Sequence, residues 1–337
     1  MEEKIKIYVP QSVYNVLIKD MELFEFYKKD KSLNKNDFIN TLILNYYEAY
    51  AKKNNEIYTY VKKLLEATTH ESTTTNSQLA EDILHLIENK NNQSLDKKRD
   101  VAISIKPTKK SAATIEYICE YCLYGNTISN YFRNMFTFYS MFALNQRERI
   151  IFKEVFEIIE EAIETKKKIY FTTNTSKTKF VVSPYAIAHS KEELFNYVLT
   201  ERNGEVATFR ITRIKSPMIQ KNNAHFVQNN IPIFEKMKEH DPQYVYDAYL
   251  GEIKVYLTEQ GKKKFNKMYL YRPKVVRVED NYYYFDCATS QAFQYFTRFG
   301  GDAIILEPQS LAILMQKYYQ FGLKTYEKSL KENASED

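Results

Sequence analysis

Lys4, Lys6 and Tyr8 alternate with Ile5, Ile7 and Val9 before Pro10, and Val101, Ile103 and Ile105 alternate with Ala102, Ser104 and Lys106 before Pro107. A period of two with one apolar face predicts a half-buried strand, and proline ends each one. A helix, a break and a second helix follow both times. After the first strand the helical spacing is Val13, Leu17, Met21 and Phe24, then, past a polar stretch, Phe38, Leu42, Leu44 and Tyr46. After the second it is Ile115, Ile118 and Cys122, then, past Gly125-Asn126-Thr127, Tyr131, Phe132, Met135 and Phe138. The chain thus contains a weak internal repeat of strand, helix, helix about a hundred residues apart. Between the copies lie a helical tail with Ile57, Val61 and Leu64, a polar tract over 68–78 that reads as a loop, a short helix over 79–87, and a second polar linker over 89–100.

The remainder changes character. Residues 149–167 predict an amphipathic helix, with Ile151, Val155, Ile158, Ile159 and Ala162 on one side. Five short strand patterns follow over 169–172, 180–187, 195–200, 206–212 and 214–220, which together imply a small antiparallel barrel. Residues 226–250 read as a linker. The last unit carries the order β-α-β-β-β-α, ending in a helix over 310–326, and is compatible with an α+β sandwich. At 337 residues, two or three domains are expected on a prior of roughly 150 residues each.

Composition excludes more than it selects. With 7 glycines and no cluster of them, phosphate-cradling loops and dinucleotide turns have no place to form. No window approaches the roughly 18 apolar residues of a membrane span, and the Met1-Glu2-Glu3-Lys4 start lacks the basic and apolar regions of a signal peptide, so a cytoplasmic location is expected. Cys119, Cys122 and Cys287 suit a reducing compartment as free thiols, and the lone Cys-x-x-Cys has no second pair to complete a zinc site. His70, His85, His189, His225 and His240 show no metal-binding spacing, no serine sits in a nucleophile elbow, and the carboxylate clusters fit solvated helix faces. No enzyme chemistry, metal or cofactor is therefore expected. The net charge of +5 is mild, but residues 251–280 hold 8 basic and 4 acidic side chains. There Lys262, Lys263, Lys264, Lys267 and Arg272 interleave with Phe265, Tyr269 and Tyr271, a pattern in which lysine tracks phosphate and aromatic rings stack bases. A solvated helix face accounts equally for the lysine triplet.

Both strand-helix-helix units resemble the ribbon-helix-helix family of nucleic-acid-binding proteins, whose strands pair into an antiparallel ribbon. If the copies pair within one chain, Lys4, Lys6 and Tyr8 with Ala102, Ser104 and Lys106 form one outward surface, and helix starts near Asn36 and Thr127 offer amides to phosphates. Lysines on a strand edge also guard against aggregation, so a purely protective role stays open. Further on, Ile169-Tyr170-Phe171, Ser183-Pro184-Tyr185, Phe195-Asn196-Tyr197-Val198-Leu199 and Phe209-Arg210-Ile211-Thr212-Arg213-Ile214 resemble a WYL domain. Asn196-Tyr197-Val198 stands where that family has Trp-Tyr-Leu, so only the tyrosine is kept. The resemblance implies an Sm-like barrel with Tyr185, Tyr197, Arg210 and Arg213 lining a ligand or nucleic-acid pocket, and His189 beside them. Arginines three apart on one regular strand face opposite ways, so a turn or bulge near Thr212-Arg213 is required for both to reach one ligand. The arginines pairing with surface carboxylates is the alternative.

The whole order, residues 1–146 as ribbon-helix-helix region, 147–225 as WYL domain, 226–250 as linker and 251–337 as C-terminal extension, resembles the WYL accessory proteins of type VI-D CRISPR systems. That resemblance implies a homodimer that binds single-stranded RNA and stimulates the CRISPR type VI-D effector ribonuclease. The same order suits a transcriptional regulator that reads duplex DNA with the ribbon and senses an oligonucleotide or nucleotide effector with the barrel.

Overall fold

The computed structural model describes residues 4–92, 100–174, 176–246 and 251–333. The protein is a mixed α+β chain that divides into two compact units, Met1–Phe156 and Glu157–Asp337.

In the first unit β1 (Ile5–Pro10) leads into α1 (Gln11–Leu23), α2 (Lys35–Thr68) and α3 (Thr73–Asn92). Then β2 (Asp100–Ile105) leads into α4 (Lys109–Tyr121), α5 (Ile128–Met141) and α6 (Leu144–Ile151). The two strands pair antiparallel within the one chain, Ile5 opposite Ile105 and Ile7 opposite Ile103. Ile7, Val9, Ile103 and Ile105 turn inward and are buried, as the alternation requires. The same unit buries the aromatic side chains Phe24, Phe38, Tyr50, Phe132, Phe136 and Tyr139. Within it the fully buried Asp20 carboxylate accepts from Tyr139 Oη at 2.8 Å and from Arg147 Nε and Nη2 at 2.7 and 2.9 Å, joining α1, α5 and α6. The charge is tolerated because each oxygen has a donor.

Two expectations fail here. The tract over 68–78 is largely helical: only residues 69–72 intervene between α2 and α3. Ser72 Oγ accepts from Thr75 N at 3.2 Å, and buried Asn76 accepts from Thr69 Oγ1 at 2.9 Å. A Ser/Thr/Asn run caps a helix as readily as it makes a loop. The linker expected over 89–100 is helical as far as Asn92, and its residues 93–99 lie outside the described ones.

The second unit takes in most of α7 (Lys153–Glu164), followed by β3 (Lys167–Thr173), β4 (Ser176–His189), β5 (Asn196–Arg202), β6 (Glu205–Arg210) and β7 (Ile214–Asn223). All five predicted strands exist, in one antiparallel sheet of order β6-β5-β4-β3-β7. The barrel expectation is not met. β4 pairs its first half with β3 and its second half with β5, while β6 and β7 remain the sheet's two edges, joined by a single 3-10 turn, Ile211–Arg213. Closure would need ladder bonds between those edges.

The expected linker carries a helix as well. α8 (Ile231–Glu239) buries Ile233, Phe234 and Met237, which pack with Leu199, Tyr244, Tyr246 and Ala288. Pro232 in its first turn suits a helix start. The final elements are β8 (Ile253–Leu257), α9 (Glu259–Lys267), β9 (Lys274–Glu279), β10 (Tyr282–Asp286), α10 (Thr289–Phe296), β11 (Ala303–Glu307) and α11 (Gln309–Asn333). The order is β-α-β-β-α-β-α, with α10 unforeseen. The four strands form an antiparallel sheet, β11-β8-β10-β9, whose core face packs on Phe265, Tyr295, Phe296, Leu311 and Met315 of the helices.

Candidate nucleic-acid interface

Three groups of residues come forward from the sequence, and the fold treats them differently. On the two-stranded ribbon, Lys4, Lys6, Tyr8, Ala102, Ser104 and Lys106 are all exposed, with Lys6 opposite Ser104 and Tyr8 opposite Ala102. Lys6 Nζ lies 5.3 Å from the Tyr8 ring centroid. The ribbon is locked from behind: Arg133 donates to Tyr8 O at 2.8 Å and to Asp100 at 2.6 Å, and Ser129 Oγ donates to Lys6 O at 3.1 Å. The Lys106 amide donates to Asn36 Oδ1 at 2.8 Å, which ties the end of β2 to the first turn of α2. Thr127 is the N-cap of α5, and its hydroxyl accepts from Asn130 N at 3.2 Å. Its side chain is thus spent on the helix end rather than offered outward.

In the five-stranded sheet, Tyr197 sits directly opposite Arg210, so the two share a face. Tyr197 is 7% exposed and donates its hydroxyl proton to Glu193. Burial first, then the Glu193 carboxylate, raise the pKa of that hydroxyl, and the charges of Arg210 and Arg213 oppose the shift. Arg210 lies over the Phe195 ring, its Cζ 3.1 Å from the centroid. Arg213 is exposed at the end of the 3-10 turn. A turn stands between the two arginines, as the three-residue spacing requires.

Tyr185 goes elsewhere. It sits where the β4–β5 register shifts, stacks on Phe234 of α8 at 4.4 Å between centroids, and donates to Glu235 at 2.7 Å. The Glu235 hydrogen bond, with some burial, pushes its pKa up to about 12. Its ring face and hydroxyl are therefore committed to α8, a helix within the stretch expected to be linker. His189 is exposed at the end of β4, opposite Asn196.

Around the Tyr197 group stand Glu192 and Glu193, which pattern reading missed, together with Tyr271 from the C-terminal basic stretch. Glu193 also accepts from Tyr271 Oη at 3.4 Å, and the Tyr271 amide donates to Glu192. Beside Glu192 opens a cleft of about 210 Å³ walled by Lys191, His240, Asp241, Arg272, Lys274 and Asp286, with Gln291 and Glu192 itself. Burial raises the pKa of the Asp241 and Glu192 carboxyls. Burial also works against ionised Asp286, but its hydrogen bonds and charge contacts with Lys236 and His240 outweigh it and hold that carboxyl low. Lys191, Arg272 and Lys274 give this cleft three cations from two distant parts of the sequence. The adjacent Glu192-Glu193 pair before an apolar strand was the available signal.

The C-terminal basic stretch is thinner than its sequence suggests. Lys262 pairs with Glu259 at 2.9 Å and Lys264 with Asp302 at 2.7 Å, leaving Lys263, Lys267 and Tyr269 exposed. Arg272 lies over Tyr269 and Phe265, 4.9 and 5.2 Å from their centroids. Among the described residues there is no cluster of metal-ligating side chains, and no helix long and apolar enough to cross a membrane. Cys119, Cys122 and Cys287 are free thiols.

Residues 154–219 match the WYL domain family. No curated protein matches the sequence. Among solved structures, the crystal structure of a CRISPR Cas-related protein is similar over 98% of this chain and 95% of its own, with a TM-score of 0.68 at 20% identity. That likeness establishes a shared fold across nearly the whole length of both. Proteasome accessory factor B/C (PafBC) of Arthrobacter aurescens is similar over 69% of this chain and 39% of its own, with a TM-score of 0.23 at 14% identity.

Proposed function

We propose that this protein is a non-enzymatic accessory factor, a cytoplasmic homodimer that binds single-stranded RNA and stimulates an RNA-guided type VI-D CRISPR ribonuclease. The observation that carries the reading is the pairing of Arg210 with Tyr197, with exposed Arg213 at the end of the turn that follows, in the segment that matches the WYL domain. A guanidinium beside aromatic rings, with a second exposed one three residues on, can bind phosphate oxygens through planar forks and stack on unpaired bases. The fold shared with a CRISPR Cas-related protein supports the biological context. In this reading the five-stranded sheet is Sm-like and the first unit is of ribbon-helix-helix type, with residues 1–146, 147–225 and 251–337 as functional modules.

A second reading has its own support. The exposed ribbon row of Lys4, Lys6, Tyr8 and Lys106 suits a nucleic-acid groove, which favours a DNA-binding regulator whose WYL segment senses an oligonucleotide. Binding of matched single-stranded RNA, single-stranded DNA and duplex DNA across a salt series separates the two. Preference for single-stranded RNA, weakened about tenfold by Arg213→Ala, together with faster RNA cleavage by a type VI-D effector on addition of the protein, supports the accessory role. Preference for duplex DNA that is lost in Lys4→Ala/Lys6→Ala refutes it in favour of the regulator.

A further inference from the structure

The last helix, α11, is apolar over more of its surface than its own unit covers. Leu311 and Met315 are buried in the core beside the four-stranded sheet, and Tyr319 packs against the same core and donates to Thr297 O at 3.1 Å. Leu314, Tyr318, Phe321, Leu323, Tyr326 and Leu330 are instead 49–74% exposed, and every residue from Leu323 to Lys331 is exposed. At 3.6 residues per turn Lys317, Lys324, Glu327, Lys328 and Lys331 all fall on the side of the helix away from Gly322. From Leu311 to Leu330 the half of the helix centred on Gly322 therefore carries no charge. A helix draws most of its stability from packing an apolar face, and the last turns of α11 pack on nothing in their own unit among the described residues.

The exposed set is symmetric about Gly322. Leu314 and Leu330 lie eight residues either side of it, Tyr318 and Tyr326 four, and Phe321 and Leu323 one. The chain's own fold does not call for that glycine: a Cβ there would meet no described atom within 4 Å, the backbone is helical, and glycine is among the least favourable helix residues. Bare backbone in mid-helix suits a second helix crossing at close range, since the side chains at the contact set an axis separation of about 8–10 Å.

We infer that α11 is the two-fold interface between two copies of this chain, crossing antiparallel at Gly322 with Leu314 of each copy opposite Leu330 of the other and Tyr318 opposite Tyr326. A two-fold contact is self-complementary, residue i meeting j while j meets i. A face whose side chains mirror one another about a single small residue meets that condition, and this symmetry selects the occupant. A bilayer or an unrelated protein would use the apolar face but neither its mirror spacing nor the glycine at its centre. The inference rests on the homodimer reading above and names the surface that makes it.

The test uses the full chain. Sedimentation equilibrium should give a dimer for the parent, and Gly322→Leu and Tyr326→Ser/Leu330→Ser should each raise its dissociation constant at least about tenfold. Leucine favours a helix more than glycine does, so loss of the dimer in the first variant is not loss of α11. In a Cys119→Ser background, Tyr318→Cys chains mixed with Tyr326→Cys chains should form a disulfide-linked dimer under copper phenanthroline. Either chain alone should not, because like positions stand roughly 12 Å apart along an antiparallel pair, beyond the Cα separation of about 7 Å that a disulfide can span. A dimer that both variants leave intact, with no crosslink in the mixture, overturns this interface but not the homodimer. A monomeric parent overturns both. Crosslinking of either chain alone makes the pair parallel and overturns the crossing at Gly322. A monomer that floats with phosphatidylglycerol vesicles, and no longer does so in the serine variant, assigns the face to lipid and likewise overturns the proposal.

Discussion

Replacing Arg147 by methionine tests the reasoning used for the first unit. Asp20 has no exposed surface, and of its three hydrogen bonds two come from Arg147, whose side chain is itself only 12% exposed. Methionine fills a similar volume but leaves the carboxylate with Tyr139 alone. Stranding one member of a buried ion pair costs about 3–5 kcal/mol, because the desolvated charge persists without its counterion. For a unit of this size each kcal/mol moves the melting temperature by roughly 2–4 °C, so a fall of about 6–20 °C is expected. Calorimetry measures it, and hydrogen exchange of the α5 amides assigns the transition to the first unit rather than the second. Asp20→Asn/Arg147→Met should recover a large part of the loss, since the charge that needed the arginine is gone. A fall under about 2 °C, or a double variant no better than the single one, refutes the view that the buried pair holds α1, α5 and α6 together.

The other expectations are smaller in scope. Tyr185→Phe removes the bond to Glu235 but keeps the stack on Phe234, so it should cost about 1 kcal/mol in chemical denaturation and leave RNA affinity unchanged. Asp241→Asn should raise the melting temperature near neutral pH. Burial raises the folded-state pKa of Asp241, so its ionised form costs stability above that pKa, and the advantage of asparagine should fade as pH falls through it. Asp286 has the opposite sign. Its lowered pKa contributes stability that is present above the ordinary aspartate range and lost as pH falls through the folded value, a loss that Lys236→Met should reduce in acid titration, His240 remaining as the second partner. Gly261→Ala should destabilise the second unit strongly, by more than about 2 kcal/mol in denaturant melts, because the new Cβ would lie 2.1 Å from the backbone oxygen of Asp302.

What could be read ahead of the structure was whatever a local period encodes. The inward set Ile7, Val9, Ile103 and Ile105 follows from alternation alone, and the five strands from β3 to β7 stand close to where their patterns lie. The helical stripe Val13, Leu17, Met21, Phe24 is buried as its spacing demands. Two helices escaped for different reasons. α8 is short, lies in a polar stretch, and buries Ile233, Phe234 and Met237 only because the sheet offers Leu199 beneath it. α10 carries Ala292, Tyr295 and Phe296, with Phe299 just beyond, at helical spacing, a legible signal set within a run of aromatic residues that also suits a strand.

The candidate site divides along the same line. The motif from Phe209 to Ile214 marks Arg210 and Arg213 from the chain itself, and the need for a turn between them follows from strand geometry. Whether a side chain of the right type is free to act was decided by its tertiary neighbours: Glu235 and Phe234 take up Tyr185, Asp302 takes up Lys264, and Glu252 and Glu279 take up Arg277. Sequence by itself determined the periods, and therefore which residues share a face. Tertiary structure decided which faces stay exposed and which charges remain unpaired, because burial and ion pairing depend on partners tens to hundreds of residues away that no local pattern contains.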